Sequence, residues 1–156
     1  MEWFVRAFLK ASLAWLALGV TLGVAMGAYP LWTVYGPAHM HMMLLGFVTM
    51  MIYAVAYHVI PRFTNHPLHD RRAAGTHWWL SNIGLAMMVA GFVTRVWRPG
   101  TGTLVLATGG TLSAVGAYVF AYLIWRTVDG RAVQPMSQPS PRPMPANRPG
   151  TPLPIA

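Results

Sequence analysis

The sequence predicts an all-α integral membrane protein: a four-helix bundle with a disordered Pro-rich C-terminal tail. Three observations predict it. Only 9% of the 156 residues are charged and 55% are hydrophobic, whereas a soluble domain carries roughly 25% charged residues. Four apolar stretches each approach the roughly 20 residues that cross a hydrocarbon core. The charges gather near the ends of these stretches and beyond them. Lipid offers no water to open backbone groups, so all four spans are expected to be helices.

The first span is expected over Ala7–Ala28. Its apolar run exceeds the roughly 7–15 residues of a signal-peptide core, so a retained helix is expected. Gly19, Gly23 and Gly27 recur every four residues along one face, the small-xxx-small spacing that lets helices approach closely. The second span, His39–Ile60, lies within AHMHMMLLGFVTMMIYAVAYHVIPRF, where no charge appears before Arg62. The third, His77–Val96, is interrupted by Ser81, Asn82 and Thr94 and carries Gly84 and Gly91. The fourth, Thr103–Trp125, carries Gly109, Gly110, Ser113 and Gly116. These small residues read either as ordinary helix contacts or as room for a flat macrocycle. Gly46, two turns from His39 on the same face, is the best case for the second reading.

Residues 1–129 thus form the membrane domain. Eight of the thirteen prolines fall in Pro135–Pro154 among Ser, Gln, Asn and Arg, so 130–156 reads as a disordered tail unable to pack a core. The net charge of +8 reads as a topology signal rather than as nucleic-acid binding. With the N-terminus in the cytoplasm, Arg6, Lys10, Arg62, Arg71, Arg72, Arg126 and Arg131 fall inside, and only Arg95 and Arg98 fall outside. The expected setting is a bacterial inner membrane with both termini cytoplasmic and the lipid bilayer as first partner.

The chain has no cysteine, which excludes disulfides, thiolate clusters and covalent c-type heme. A metal must then use histidine, methionine, backbone or a carboxylate, and the only acids are Glu2, Asp70 and Asp129. His39, His41, His58 and His77 all stand at span ends, and an ionisable group inside a membrane is a functional candidate. As a set they suggest ligation of a metal or of a heme, which without cysteine would be non-covalent and b-type. His41 and His58 are separated by roughly 25 Å along one helix, so they belong to two layers. In the outer layer, His39 and His41 lie about 200° apart around the helix. Met26 lies level with His41, and His–Met ligation is a known heme arrangement. In the inner layer, His58 comes level with His77 across antiparallel spans. Arg95 and Arg98 suit heme propionates through bidentate hydrogen bonds. Copper competes for the same mouth: His39, Met40, His41, Met42 and Met43 offer imidazole and thioether, ligands that suit Cu(I). A helix spreads these five over all faces unless its end frays. His66 and His69 read as solvated loop residues.

AHMHMMLLGF followed by AVAYHVIPRF resembles the second-helix region of heme-copper oxidase subunit I and its nitric oxide reductase relatives. It also looks like the histidine-rich helix of the NnrS family. The resemblance extends to SNIGLAMMVAGFVTR in span three, while spans one and four are generic. It implies that the histidine opening this helix, His41 or His39, is an axial ligand of a low-spin heme near the outer face. The oxidase has many more helices, and its second heme ligand and copper-binding histidines come from helices without counterparts here. The resemblance therefore implies electron transfer or diatomic gas (NO/O2) sensing rather than a complete oxidase, with no catalytic residues assigned. The second ligand would come from Met26, another histidine or a second protomer in a homo-oligomer. Respiratory-chain membrane proteins would be redox partners. A copper-handling protein and a cofactor-free accessory subunit of a respiratory complex are the alternatives.

Overall fold

A computed structural model describes residues 1–130; the rest of the predicted tail lies outside the described residues. Helix α1 spans Trp3–Ala28. The second span is built from four pieces: a 3-10 stretch Pro30–Tyr35, helix α2 over Gly36–His41, a π-helical segment Met42–Thr49 and helix α3 over Met50–Phe63. Helix α4 covers Arg71–Trp97 and α5 covers Pro99–Val128. Four helical stretches are long and apolar enough to cross a membrane, and no strand occurs among the described residues. The chain is an integral membrane protein with four spans among the described residues, in keeping with its composition.

The spans outrun their predicted bounds for local reasons. Span two begins at Pro30 rather than His39 because Pro30 and Pro37 each sit in the first turn of a helical piece, where a missing N–H costs nothing. It passes through Pro61 to Phe63, because Pro61 falls in the last turn and little helix follows it to be disrupted. Helix α4 starts at Arg71 because Asp70 caps it. The Asp70 Oδ1 accepts the N–H of Arg72 at 2.7 Å and that of Ala73 at 3.1 Å, which satisfies two orphan donors.

The π-helical segment has no predicted counterpart. Thr49 Oγ1 donates to the carbonyl of Leu44, five residues back, at 2.8 Å. Such geometry is rare and gathers at functional sites. Met42 and Gly46, within this segment, are buried.

Helices α4 and α5 are joined by the single residue Arg98 and pack along a seam of glycines. A Cβ on Gly91 would lie 2.6 Å from the Leu106 nitrogen, and one on Gly109 would lie 2.6 Å from the Gly84 oxygen. These are backbone contacts, so the neighbour cannot move aside. Gly19 seats Met43, whose Sδ would lie 2.7 Å from an added Cβ, and Gly23 seats the His39 ring at 2.9 Å. Here the glycines serve helix contact. The core gathers Phe4, Val5 and Phe8 of α1 with Met50, Ala54 and Tyr57 of α3, and with Leu85 of α4 and Leu123 of α5.

Gly91→Ala is expected to lower stability by about 1–3 kcal/mol, since it overpacks a backbone contact. Gly110→Ala, which meets nothing within 4 Å, should stay within about 0.5 kcal/mol. Thermal unfolding in detergent, followed by tryptophan fluorescence, compares the two. Equal melting temperatures would remove the seam from the account.

Candidate functional site

Helix α2 aims its two histidines at different neighbours, as their spacing requires. The Nδ1 of His39 lies 2.9 Å from the Gly19 carbonyl of α1, with the ring over Gly23. The Nδ1 of His41 lies 2.7 Å from the Pro37 carbonyl of its own turn. The His41 ring rests on Phe92 of α4, with centroids 4.9 Å apart. A carbonyl only accepts, so both rings donate from Nδ1, and in the neutral form Nε2 carries a bare lone pair. That is the arrangement by which backbone groups orient metal-ligating imidazoles. Both residues are half-buried. His39 ties α2 to α1, whereas His41 bonds only within α2.

The remaining predicted residues are scattered around this point. Met26 is half-buried, its Cε 3.9 Å from where a Cβ on Gly36 would stand. Arg95 and Arg98 are exposed at the α4–α5 turn. Met40 is 52% exposed, Met42 is buried, and Met43 sits on Gly19. The HMHMM run stays helical and is divided between α1, α4 and the outer surface. Among the described residues no group of three or more His, Cys, Asp or Glu is placed to hold a metal ion.

At Gly46, read from the sequence as room for a macrocycle, side chains of other helices occupy the space. Gly46 does face α1, as His39 does, but Trp15 covers it. A Cβ on Gly46 would lie 2.6 Å from Trp15 Cβ and 3.0 Å from Leu85 Cδ2. Trp15 is fixed there by its Nε1–H, which donates to Asn82 Oδ1 at 3.3 Å. Between the π-helical segment, α3, α4 and α5 lies a cavity of about 250 Å³ whose lining includes Met50, Tyr53, Leu85, Met88 and Ser113 but no histidine. It falls below the roughly 300–1,000 Å³ of sites for sizeable ligands. The imidazoles of α2 fit axial ligation, while the interior between the spans does not fit the ring that would need it.

At the opposite end, His77 is fully buried. The rings of Phe8, Tyr53 and Phe120 surround it with centroids at 4.9, 4.5 and 5.7 Å. Its Nδ1 lies 2.9 Å from the Tyr57 hydroxyl, and its Nε2 has no protein partner. From α3, then, His77 receives Tyr57 and Tyr53 where sequence spacing placed His58. His58 is half-buried and lines a separate cavity at the loop end, with its carbonyl accepting from Arg62 at 2.7 Å. His69 is less solvated than expected: its ring stands against Tyr122, and its backbone N–H donates to Thr127 Oγ1 at 3.2 Å. Sequence reasoning missed the Tyr57–His77 pair. The available signal was Tyr53 and Tyr57, four residues apart on one helical face and level with His77.

The family described as cytochrome c and quinol oxidase polypeptide I matches residues 31–101. The cbb3-type cytochrome c oxidase subunit CcoN1 of Stutzerimonas stutzeri is 29% identical over 157 residues. The match covers 80% of this chain and 32% of that subunit, so the chain spans about a third of the length of this relative. The chain resembles heme-copper oxidase subunit I, and the match extends over the second and third spans.

Tyr57→Phe leaves His77 buried without its hydrogen bond and should cost about 1–3 kcal/mol. Replacing both partners, Tyr57→Phe with His77→Leu, should recover most of that loss, because no polar group is then stranded. Melting temperatures in detergent check this; a double variant less stable than the single one would contradict it.

Proposed function

We propose that this is a membrane heme-binding protein of the electron-transfer class, in which His41 supplies one axial nitrogen and a second polypeptide completes the site. The observation that carries this reading is the His41 imidazole: held at Nδ1 by the Pro37 carbonyl, steadied by Phe92, and bare at Nε2. The resemblance to heme-copper oxidase subunit I supports heme as the group so held. His39 has the same tautomer, but its bond to Gly19 joins two helices, which favours a positioning role for it.

A bound heme supplies reversible one-electron chemistry at iron, tuned by its axial ligands. The chain's own part is to orient the ligand, to present the exposed guanidinium groups of Arg95 and Arg98 to propionate carboxylates, and to keep the interior closed with Trp15. A second ligand would come from another subunit or a second copy, since no histidine lines the cavity between the spans. An open second position would instead suit diatomic gas binding. The divided HMHMM run supports heme over copper, because its thioethers do not share a face with both imidazoles. The crowding of basic residues at the loop end supports a cytoplasmic N-terminus in a bacterial inner membrane.

The test is the visible absorption of protein purified after expression with heme supplied. The wild type should show a Soret band that shifts on reduction. His41→Ala should lose it. His39→Ala should keep the band while losing about 1–2 kcal/mol of stability with its interhelix bond. A colourless wild type, or an unchanged Soret band in His41→Ala, would reject the assignment.

A further inference from the structure

A cavity of about 550 Å³ opens at the loop end, between the start of α1, the end of α3 and the loop into α4. Phe4 and Tyr57 lie at its buried side, and His58, Arg62, His66 and Arg71 are among the polar groups that line it. We propose that this cavity binds the phosphodiester headgroup of an anionic phospholipid, with the glycerol end of its chains against the apolar side.

The charge balance favours an anion. Of the charged side chains lining the cavity, Arg62 and Arg71 outnumber Glu2. Both guanidinium groups are held in place and still have donors to offer. Arg71 pairs with Glu2 Oε1 at 2.8 Å, yet its side chain remains 71% exposed. Arg62 spends one donor on the His58 carbonyl at 2.7 Å and has four more N–H groups. Such groups form charge-assisted bonds to phosphate oxygens.

The depth favours a lipid over a free ion. Trp3, Trp78 and Trp79 cluster at this end, with successive centroids 6.3 and 4.6 Å apart, and tryptophan marks the headgroup level of a bilayer. Phe63, closing α3, is 86% exposed, an apolar side chain suited to acyl chains. A free phosphate has no use for the apolar side of the cavity, whereas a phospholipid matches both halves. Basic pockets between membrane helices hold anionic headgroups in this way.

Native mass spectrometry of the full chain in neutral detergent, with phosphatidylglycerol or phosphatidylcholine of the same acyl chains, tests the proposal. The wild type should retain phosphatidylglycerol selectively. Arg62→Gln and Arg71→Gln should each weaken it about fivefold, and melting temperatures near wild type would show that both variants fold. Lys10→Gln, the same charge change outside the cavity, should leave retention unchanged. The proposal is overturned by equal retention of the two lipids, by an equal loss in Lys10→Gln, or by inorganic phosphate displacing the lipid at comparable concentration.

Discussion

Backbone-to-backbone contact along the α4–α5 glycine seam is the constraint on which the rest of this bundle depends. In lipid, apolar side chains gain little by leaving one hydrocarbon surface for another, so helices associate through close packing and buried hydrogen bonds. Gly84, Gly91, Gly102 and Gly109 bring the α4 and α5 backbones together, and Gly116 seats the Ser81 and His77 side chains. The pair then acts as one ridged wall. Helix α4 presents from that wall what the rest of the chain leans on: His77 for Tyr57, Asn82 for Trp15 and Phe92 for His41.

Polar ties then fix the other helices at successive depths. The His39–Gly19 bond holds α2 to α1, the Trp15–Asn82 bond holds α1 to α4, and the Tyr57–His77 bond holds α3 to α4. Each joins two helices inside a low-dielectric region where an unmade bond is costly. The histidines consequently divide by task. His39 and His77 are tied into helix contacts, His58 and His66 line the loop-end cavity, and His41 alone among the span-end histidines is bonded within its own turn with Nε2 bare.

Much of this was legible in the sequence. Composition and span length gave the four helices, because the hydrocarbon core admits few alternatives. The 200° separation of His39 and His41 required that they face different neighbours, and they face α1 and α4. The inner layer turns on a local detail: one residue along a helix turns the side chain by about 100°, so Tyr57 is the α3 residue that bonds His77. Gly46 shows the limit of such a pattern, because a glycine on a helix face does not say what fills the space above it. A tryptophan from another helix, 31 positions earlier in the chain, took the place imagined for a macrocycle. The π-helical segment had no readable signal, since apolar residues such as MMLLGFV serve α and π geometry alike.

The site that emerges is one-sided: an imidazole held by its own turn on a bundle whose interior cavity of about 250 Å³ has no histidine in its lining. The most direct test is the spin and coordination state of iron in the heme-loaded chain after isolation as a monomer, read by electron paramagnetic resonance. The account predicts a high-spin, five-coordinate ferric iron, because one chain provides one axial nitrogen. A low-spin, six-coordinate signal from the monomer would contradict it and would place both ligands within this chain.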